Sequence, residues 1–378
     1  MILFSWPVVG IAVGFVAWGH DLHWSILAMS LLGIYLLAKR RREVFGFAFG
    51  YYLGASRGLL LGAHNYFGDW PIATAIWLGT AFFVAMVWAF AWHKSIEWRT
   101  ALLPTVILVL ILPPIGYISW VNPIMVAGLV FPGTKLIGMA LIIIAVWALV
   151  HLMKSKSQKL LALILFCTVA AIAAVAQIRY ERKIPVGIEG VDTKFCGEVQ
   201  NITQKIRRLN YIVARTNKIK SPNALFAEGF IGFWSPVDQM AFNGLWNGKK
   251  VYLGAYVGRN IDDYENVLLE VTNSKTKIIY RQRVPAPISM WGNGAKAHLS
   301  GSGVVWINGK KTGILICYEQ LIAPTALWTY LQDPVMVLAP SNLWWSPKSI
   351  WSIQRQNLEL WGRLFNIPYI MAVNTPCF

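Results

Sequence analysis

Hydrophobic and polar positions divide this chain in two. Up to about Arg179 the residues form nearly unbroken apolar runs, separated by short polar or basic breaks. From about Tyr180 onward, short apolar stretches alternate with polar ones. About 20 consecutive apolar residues cross a bilayer. Seven such spans are read, at 2–19, 24–38, 44–63, 71–93, 101–120, 136–153 and 160–178. No basic segment precedes the first run and more runs follow it, so it reads as a helix and not as a cleaved leader. Residues 121–135 carry Pro123, Gly128, Pro132 and Gly133 and predict a broken or re-entrant segment, tolerated where protein or water covers it.

The second half predicts an α/β domain. Strands are expected at 223–227, 250–257, 265–271, 276–280, 303–308, 312–317, 334–339 and 368–373, and helices at 198–215, 320–330 and 349–365. The last helix follows Ser346-Pro347, a start signal. The domain expectation is a transmembrane helical region over 1–179 and a separate domain over 186–378, shortened at its C-terminus.

Composition sharpens this picture. The 378 residues are 56% hydrophobic and 13% charged, against roughly 25% charged in a soluble domain. The net charge of +17 admits a nucleic-acid binder. However, Lys39-Arg40-Arg41-Arg42 and Lys154, Lys156 and Lys159 adjoin apolar runs, as cytoplasmic loops do, so no direct nucleic-acid binding is expected. With the N-terminus inside, the inner loops 39–43, 94–100 and 154–159 hold the basic clusters, and the outer loops hold little Lys or Arg. Seven spans then place the C-terminal domain in the periplasm, outside a bacterial inner membrane. Trp6, Trp24 and Trp70 read as interface anchors.

Gly46, Gly50, Gly54, Gly58 and Gly62 recur every four residues. On one helix they share a stripe and predict a close-packed helix seam. Arg57 lies on the same span, where a charge faces protein, a polar cavity or the interface.

Four cysteines are present, and no C-x-x-C spacing suggests a metal. Neither metal nor cofactor is expected. Cys167 reads as a small apolar residue. If the domain lies outside the cytoplasm, Cys196 and Cys377 are available to pair. His298 reads as a loop residue.

Two strand ends carry candidate chemistry. Leu225-Phe226-Ala227-Glu228 sets an acid at the exit of one strand, and Gly313-Ile314-Leu315-Ile316-Cys317-Tyr318-Glu319 sets a cysteine at the exit of another. A thiol at a strand-to-helix turn meets backbone N–H groups that favour thiolate. A nearby carboxylate can take its proton and return it.

In this order, Glu228 and the Cys317-Tyr318-Glu319 block resemble the nitrilase superfamily over about 186–376, and in particular its membrane-bound branch, apolipoprotein N-acyltransferase. Ala339-Pro340-Ser341-Asn342-Leu343-Trp344-Trp345 resembles the family segment after the nucleophile. Gln354–Leu360 and Pro368–Asn374 resemble its closing helix and strand. The resemblance implies an α-β-β-α sandwich, a Cys317 nucleophile, a Glu228 base, a supporting Glu319, and Asn342, Trp344 and Trp345 near a pocket. The whole chain also resembles the TraB family of conjugal-transfer proteins from Ti-type plasmids. That likeness rests on Ala55-Ser56-Arg57-Gly58, His64-Asn65-Tyr66-Phe67-Gly68, Arg281-Gln282-Arg283-Val284-Pro285 and Ser341–Pro347.

One departure bears on mechanism. The nitrilase Lys, which stabilises the oxyanion, falls at Gln282 or Tyr280 in this chain, and neither is a cation. Arg281 or Arg283 is the expected surrogate. Two readings therefore stand. One is a cysteine-dependent N-acyltransferase or amide hydrolase drawing an acyl donor from membrane lipid, its protein or amine acceptor unidentified. The other is an inactive structural component that meets other conjugation proteins.

Overall fold

The computed structural model describes residues 5–154, 159–246 and 248–376. The helices are α1 (Ser5–Ala17), α2 (Met29–Leu37), α3 (Arg41–Ala55), α4 (Arg57–Phe67), α5 (Trp70–Ala91), α6 (Ile96–Ile111), α7 (Ala127–Val130), α8 (Leu136–Lys154), α9 (Lys159–Arg179), α10 (Ile202–Lys218), α11 (Ala323–Tyr330) and α12 (Lys348–Phe365). The strands are β1 (Ile188–Gly190), β2 (Asn223–Leu225), β3 (Lys250–Asn260), β4 (Asp263–Val271), β5 (Thr276–Arg281), β6 (Val304–Ile307), β7 (Lys310–Ile314), β8 (Met336–Asn342) and β9 (Tyr369–Asn374). The chain divides into two compact units. One is Met1–Arg182 with Leu321–Pro324 and Ser346–Asn366; the other is Lys183–Gln320 with Thr325–Trp345 and Ile367–Phe378.

In the helical unit, three helices are long and apolar enough to cross a membrane: Trp70–Ala91, Leu136–Met153 and Lys159–Arg179. The pair α3–α4, bent by 55°, makes a fourth if it counts as one span. Three or four of the seven expected spans are matched by this length and composition. Apolar helix occupies the other expected positions in shorter pieces, such as Ser5–Ala17 and Leu22–Leu37. Part of the 154–159 loop used for orientation lies outside the described residues. Within 121–135, Pro123–Val126 and Ala127–Val130 are short helical turns, whereas the helix expected over 101–120 ends at Ile111 and is followed by a turn at Ile115–Tyr117.

The glycine stripe is corrected in one respect. The chain breaks at Ser56, so the five glycines do not share one helix. A β-carbon at Gly50 would run into the Pro7 carbonyl, and one at Gly54 into the Ile11 carbonyl. Gly10 and Gly14 of α1 meet the Phe47 and Tyr51 carbonyls in return. The α1–α3 pair is thus in backbone-to-backbone contact, which only small residues allow. Gly58 instead faces Ser349 and Ile350 of α12. Arg57 closes the end of α1: its Nη1 donates to the carbonyls of Phe15 (3.1 Å) and Trp18 (3.0 Å). Carbonyls at a helix C-terminus lack intrahelical partners, so Arg57 acts here as a cap.

Helix α12 belongs to this unit by its contacts. Gln356 accepts from the Gly19 N–H (2.8 Å) and donates to the Ala17 carbonyl (2.9 Å). The Gly133 and Lys135 N–H groups donate to the Arg363 (2.8 Å) and Leu364 (2.9 Å) carbonyls. These bonds cap both the end of α1 and the end of α12.

The second unit holds two sheets. The first has order β1-β2-β3-β4-β5, with β1, β2 and β3 parallel and β4 and β5 antiparallel. The second has order β6-β7-β8-β9, with β7, β8 and β9 parallel and β6 antiparallel at its edge. Alternation along a strand sends neighbours to opposite faces. Leu225, Tyr252, Leu268 and Tyr280 accordingly meet Ile314, Met336, Leu338 and Ile370 between the sheets. Val251, Leu253, Val267 and Leu269 pack with Leu209 and Ile212 of α10. Burial on both faces explains why these strands read as apolar runs. Several elements depart from expectation: β1 was not foreseen, and α10 and β8 are shifted along the chain. β7 ends at Ile314, three residues before Cys317, and α11 starts at Ala323.

Candidate active site

Glu228 and Cys317 each lie just beyond the end of a strand, in turns whose shape the sequence enforces. After β2, the chain passes Phe226 and Ala227 and turns at Gly229, whose φ is +52°, a value glycine adopts without strain. Strand β3 runs close beneath: a β-carbon at Gly254 would collide with the Glu228 Cα and the Ala227 carbonyl. After β7, Leu315 still bonds to β8 (Leu315 N–H to the Leu338 carbonyl, 3.0 Å). Cys317 then adopts a φ of +44° and opens a short 3-10 turn, Cys317–Gln320. A non-glycine residue in this region carries strain and is uncommon outside functional turns.

The two side chains meet. The Cys317 thiol hydrogen-bonds the Glu228 carboxylate. Glu228 is 4% exposed, and burial pushes its carboxyl up to about 7, against the opposing hydrogen bonds of Cys317, Asn266 and the Asn342 backbone. Asn266 Nδ2 donates to Glu228 Oε1 (2.5 Å) and to Gln282 Oε1 (2.8 Å). The Asn342 N–H donates to Glu228 Oε2 (3.3 Å). Asn342 is itself held through its Oδ1 by Asn374 Nδ2 (2.9 Å).

Gln282, one of the two positions aligned with the family Lys, lies beside this group. Its Nε2 donates to the Ile316 carbonyl (3.1 Å) just before Cys317. Tyr280, the other, donates its hydroxyl to Glu319 Oε1 (2.9 Å). The expected surrogate cations are committed elsewhere. Arg281 is 45% exposed and pairs with Glu265 (2.8 Å). Arg283 is buried: its Nε donates to the Tyr280 hydroxyl (2.8 Å), and its Nη2 to Thr329 Oγ1 (2.7 Å) and the Thr325 carbonyl (3.1 Å). Burial disfavours the Arg283 charge, but Tyr280 and Glu319 together push its pKa up. The extended strand explains Arg281: one residue from Gln282, it must point to the opposite face.

Glu319 is fully buried and holds the Cys317 turn. It accepts from the Ile316 N–H (2.8 Å), the Arg283 N–H (2.8 Å) and Tyr280, and stands 3.4 Å from Arg283 Nε. Burial raises its pKa, with Arg283 opposing. Trp344 and Trp345 are half-buried in the turn after β8.

Asn266 escaped sequence reading. The signal was present: it shares the inter-sheet face with Leu268, two residues on, in a strand rich in Val and Leu, and a fully buried amide there needs partners. Cys196 is disulfide-bonded, and its expected partner, Cys377, lies outside the described residues. Among the described residues, no group of three or more His, Cys, Asp or Glu could hold a metal.

No family model matches the chain. Among solved structures, it is similar to a nitrilase-superfamily amidase mutant from Nesterenkonia (12% identity, TM-score 0.38, 50% of this chain and 78% of that one). It is also similar to a carbon-nitrogen hydrolase from Helicobacter pylori (14%, TM-score 0.33, 42% of this chain and 60% of that one). Among curated proteins, it is 28% identical over 384 residues to a probable conjugal transfer protein TraB of Sinorhizobium fredii, covering 97% of each. It is 29% identical over 407 residues to the conjugal transfer protein TraB of Agrobacterium fabrum, covering 97% of this chain and 92% of that one. Over nearly its whole length, the chain is thus a homologue of the TraB conjugal transfer proteins.

Proposed function

We propose that this chain is a membrane component of plasmid conjugal transfer whose α/β unit transfers or hydrolyses acyl groups through a Cys317 thioester. The hydrogen bond between the Cys317 thiol and the buried Glu228 carboxylate carries this reading. Glu228 takes the thiol proton as sulfur attacks the acyl carbonyl. It then protonates the departing alcohol or amine, leaving a thioester. An amine or water attacks that thioester, with Glu228 again taking the proton, and the thiol is regenerated. A carboxyl with a pKa near 7 suits both directions of transfer. Asn266 Oδ1, buried and without a hydrogen-bond partner among the described residues, can accept from an N–H of the acceptor or leaving amine. The candidate spans support a lipid acyl donor reaching the protein from the bilayer. The Cys196 disulfide supports an oxidising compartment such as the periplasm, with the helical unit in the inner membrane. The test is labelling of the full chain in membranes with a thiol-reactive acyl-nitrile probe, mapped by peptide: Cys317 should react much faster than Cys167, the other free cysteine among the described residues, and a Cys317 that labels no faster than Cys167 removes the assignment.

One observation favours a second reading, in which the fold is kept for assembly alone. The two positions aligned with the oxyanion cation, Gln282 and Tyr280, are both uncharged and both engaged, by the Ile316 carbonyl and by Glu319, and loss of one oxyanion donor costs roughly a hundredfold or more in rate. Plasmid transfer separates the two. A Cys317→Ala strain that transfers normally, beside a domain deletion that does not, favours assembly; loss in both favours catalysis.

A further inference from the structure

We propose that the α2–α3 and α5–α6 loops of the helical unit together form a binding site for the phosphate of an anionic phospholipid. The two loops, some fifty residues apart in the chain, are fastened into one surface. Tyr35 donates its hydroxyl to the Ala91 carbonyl (3.0 Å), Arg41 Nη2 to the Trp92 carbonyl (3.3 Å), and Arg99 Nη1 to the Ala38 carbonyl (2.7 Å). Arg99 is buried and its guanidinium also lies 5.5 Å from the Trp92 ring centroid, so it serves as a rivet and not as a ligand. The surface it secures carries Lys39, Arg40, Arg42 and Lys94, all exposed.

The two local carboxylates form no ion pair with these cations and leave them in excess. Glu43 accepts from the Lys39 N–H (2.8 Å) and the Arg40 N–H (3.2 Å). Glu97 accepts a hydrogen bond from Ser95. Both acids are thus held by backbone or hydroxyl donors, and among the described residues none of the four cations is ion-paired. Two large rings flank the loops in the open: Phe90 at the end of α5 is 68% exposed and Trp98 at the start of α6 is 60% exposed. Cations beside exposed aromatic rings, at the ends of apolar helices, match a headgroup with acyl chains below it. A nucleic acid would use the charges and leave Phe90 and the apolar flank of α5 uncovered.

The test uses the full chain in detergent, with retained lipid counted by native mass spectrometry during titration with phosphatidylglycerol or phosphatidylcholine. Phosphatidylglycerol should be retained at least tenfold more tightly. Each surface cation contributes roughly a fivefold factor. Arg42→Gln with Lys94→Gln should therefore weaken retention by about twentyfold, whereas Arg215→Gln with Lys218→Gln on α10 should not. The swap Arg42→Lys with Lys94→Arg should keep the binding, which separates charge from folding. Equal retention of the two lipids, or indifference to the Arg42 and Lys94 substitutions, overturns the proposal. So does displacement of the lipid by inorganic phosphate or by a single-stranded oligonucleotide at matched charge.

Discussion

Glu228 offers the sharpest lever on the chemistry, because its pKa falls where pH can be varied without unfolding the chain. Its carboxyl is pushed up to about 7 by burial. Only the ionised form can accept the Cys317 proton, so the acylation rate should follow the carboxylate fraction. That fraction is about 10% one pH unit below the pKa and about 90% one unit above it. Acylation should therefore rise about tenfold between pH 6 and pH 8, with its midpoint near 7. Glu228→Gln keeps the size of the side chain but cannot take a proton. The slope should vanish, and the rate should fall by roughly a hundredfold to ten-thousandfold, the range of a lost general base. The assay is single-turnover acylation of the full chain by an activated acyl ester, quenched at intervals, with the Cys317 peptide quantified by mass. Cys167, the other free cysteine among the described residues, reports intrinsic thiol reactivity in the same sample. A rate flat across this range in the wild type, or a Glu228→Gln variant reacting within a few-fold of it, refutes the reasoning.

Two further outcomes follow from the geometry. Glu319→Ala leaves the Arg283 guanidinium, 3% exposed, without its counter-charge, and strips the Ile316 N–H of its acceptor; breaking such a buried pair costs about 3–5 kcal/mol. The melting temperature of the purified chain should drop markedly, and a melt unchanged from wild type would show that the clamp is dispensable. Gly50→Val places a β-carbon on the Pro7 carbonyl, so α1 must separate from α3. The variant should melt lower and expose α1 to protease, whereas the same change at Gly79, which has open space around it, should do neither.

What could be read from residues alone depended on range. The apolar strands 250–257 and 265–271 were visible because both faces of β3 and β4 are buried, which fills them with Val, Leu and Tyr. Glu228 and Cys317 were visible because each follows such a run and sits in a recognisable local pattern. Asn266 was missed: an amide among the apolar residues of β4 was legible, but its partners Glu228 and Gln282 meet it only in the fold. The surrogate cation went astray for a related reason. Proximity in sequence to Gln282 suggested Arg281 and Arg283, but strand alternation turns the first away and Glu319 and Thr329 engage the second. The glycine period was correctly noticed yet assigned to one helix, because nothing in the residues near Ser56 announces a 55° bend.

The allegiance of α12 has a practical consequence for anyone dissecting the gene. The polypeptide leaves the α/β unit after β8, spends α12 among the helices, and comes back to lay down β9. No single cut separates the two halves: a fragment starting near residue 183 would carry α12 without Ala17, Gly58 or Gly128 to receive it. Soluble expression of that fragment would leave the apolar face of an amphipathic helix open to solvent, so its failure to behave would say nothing about Cys317.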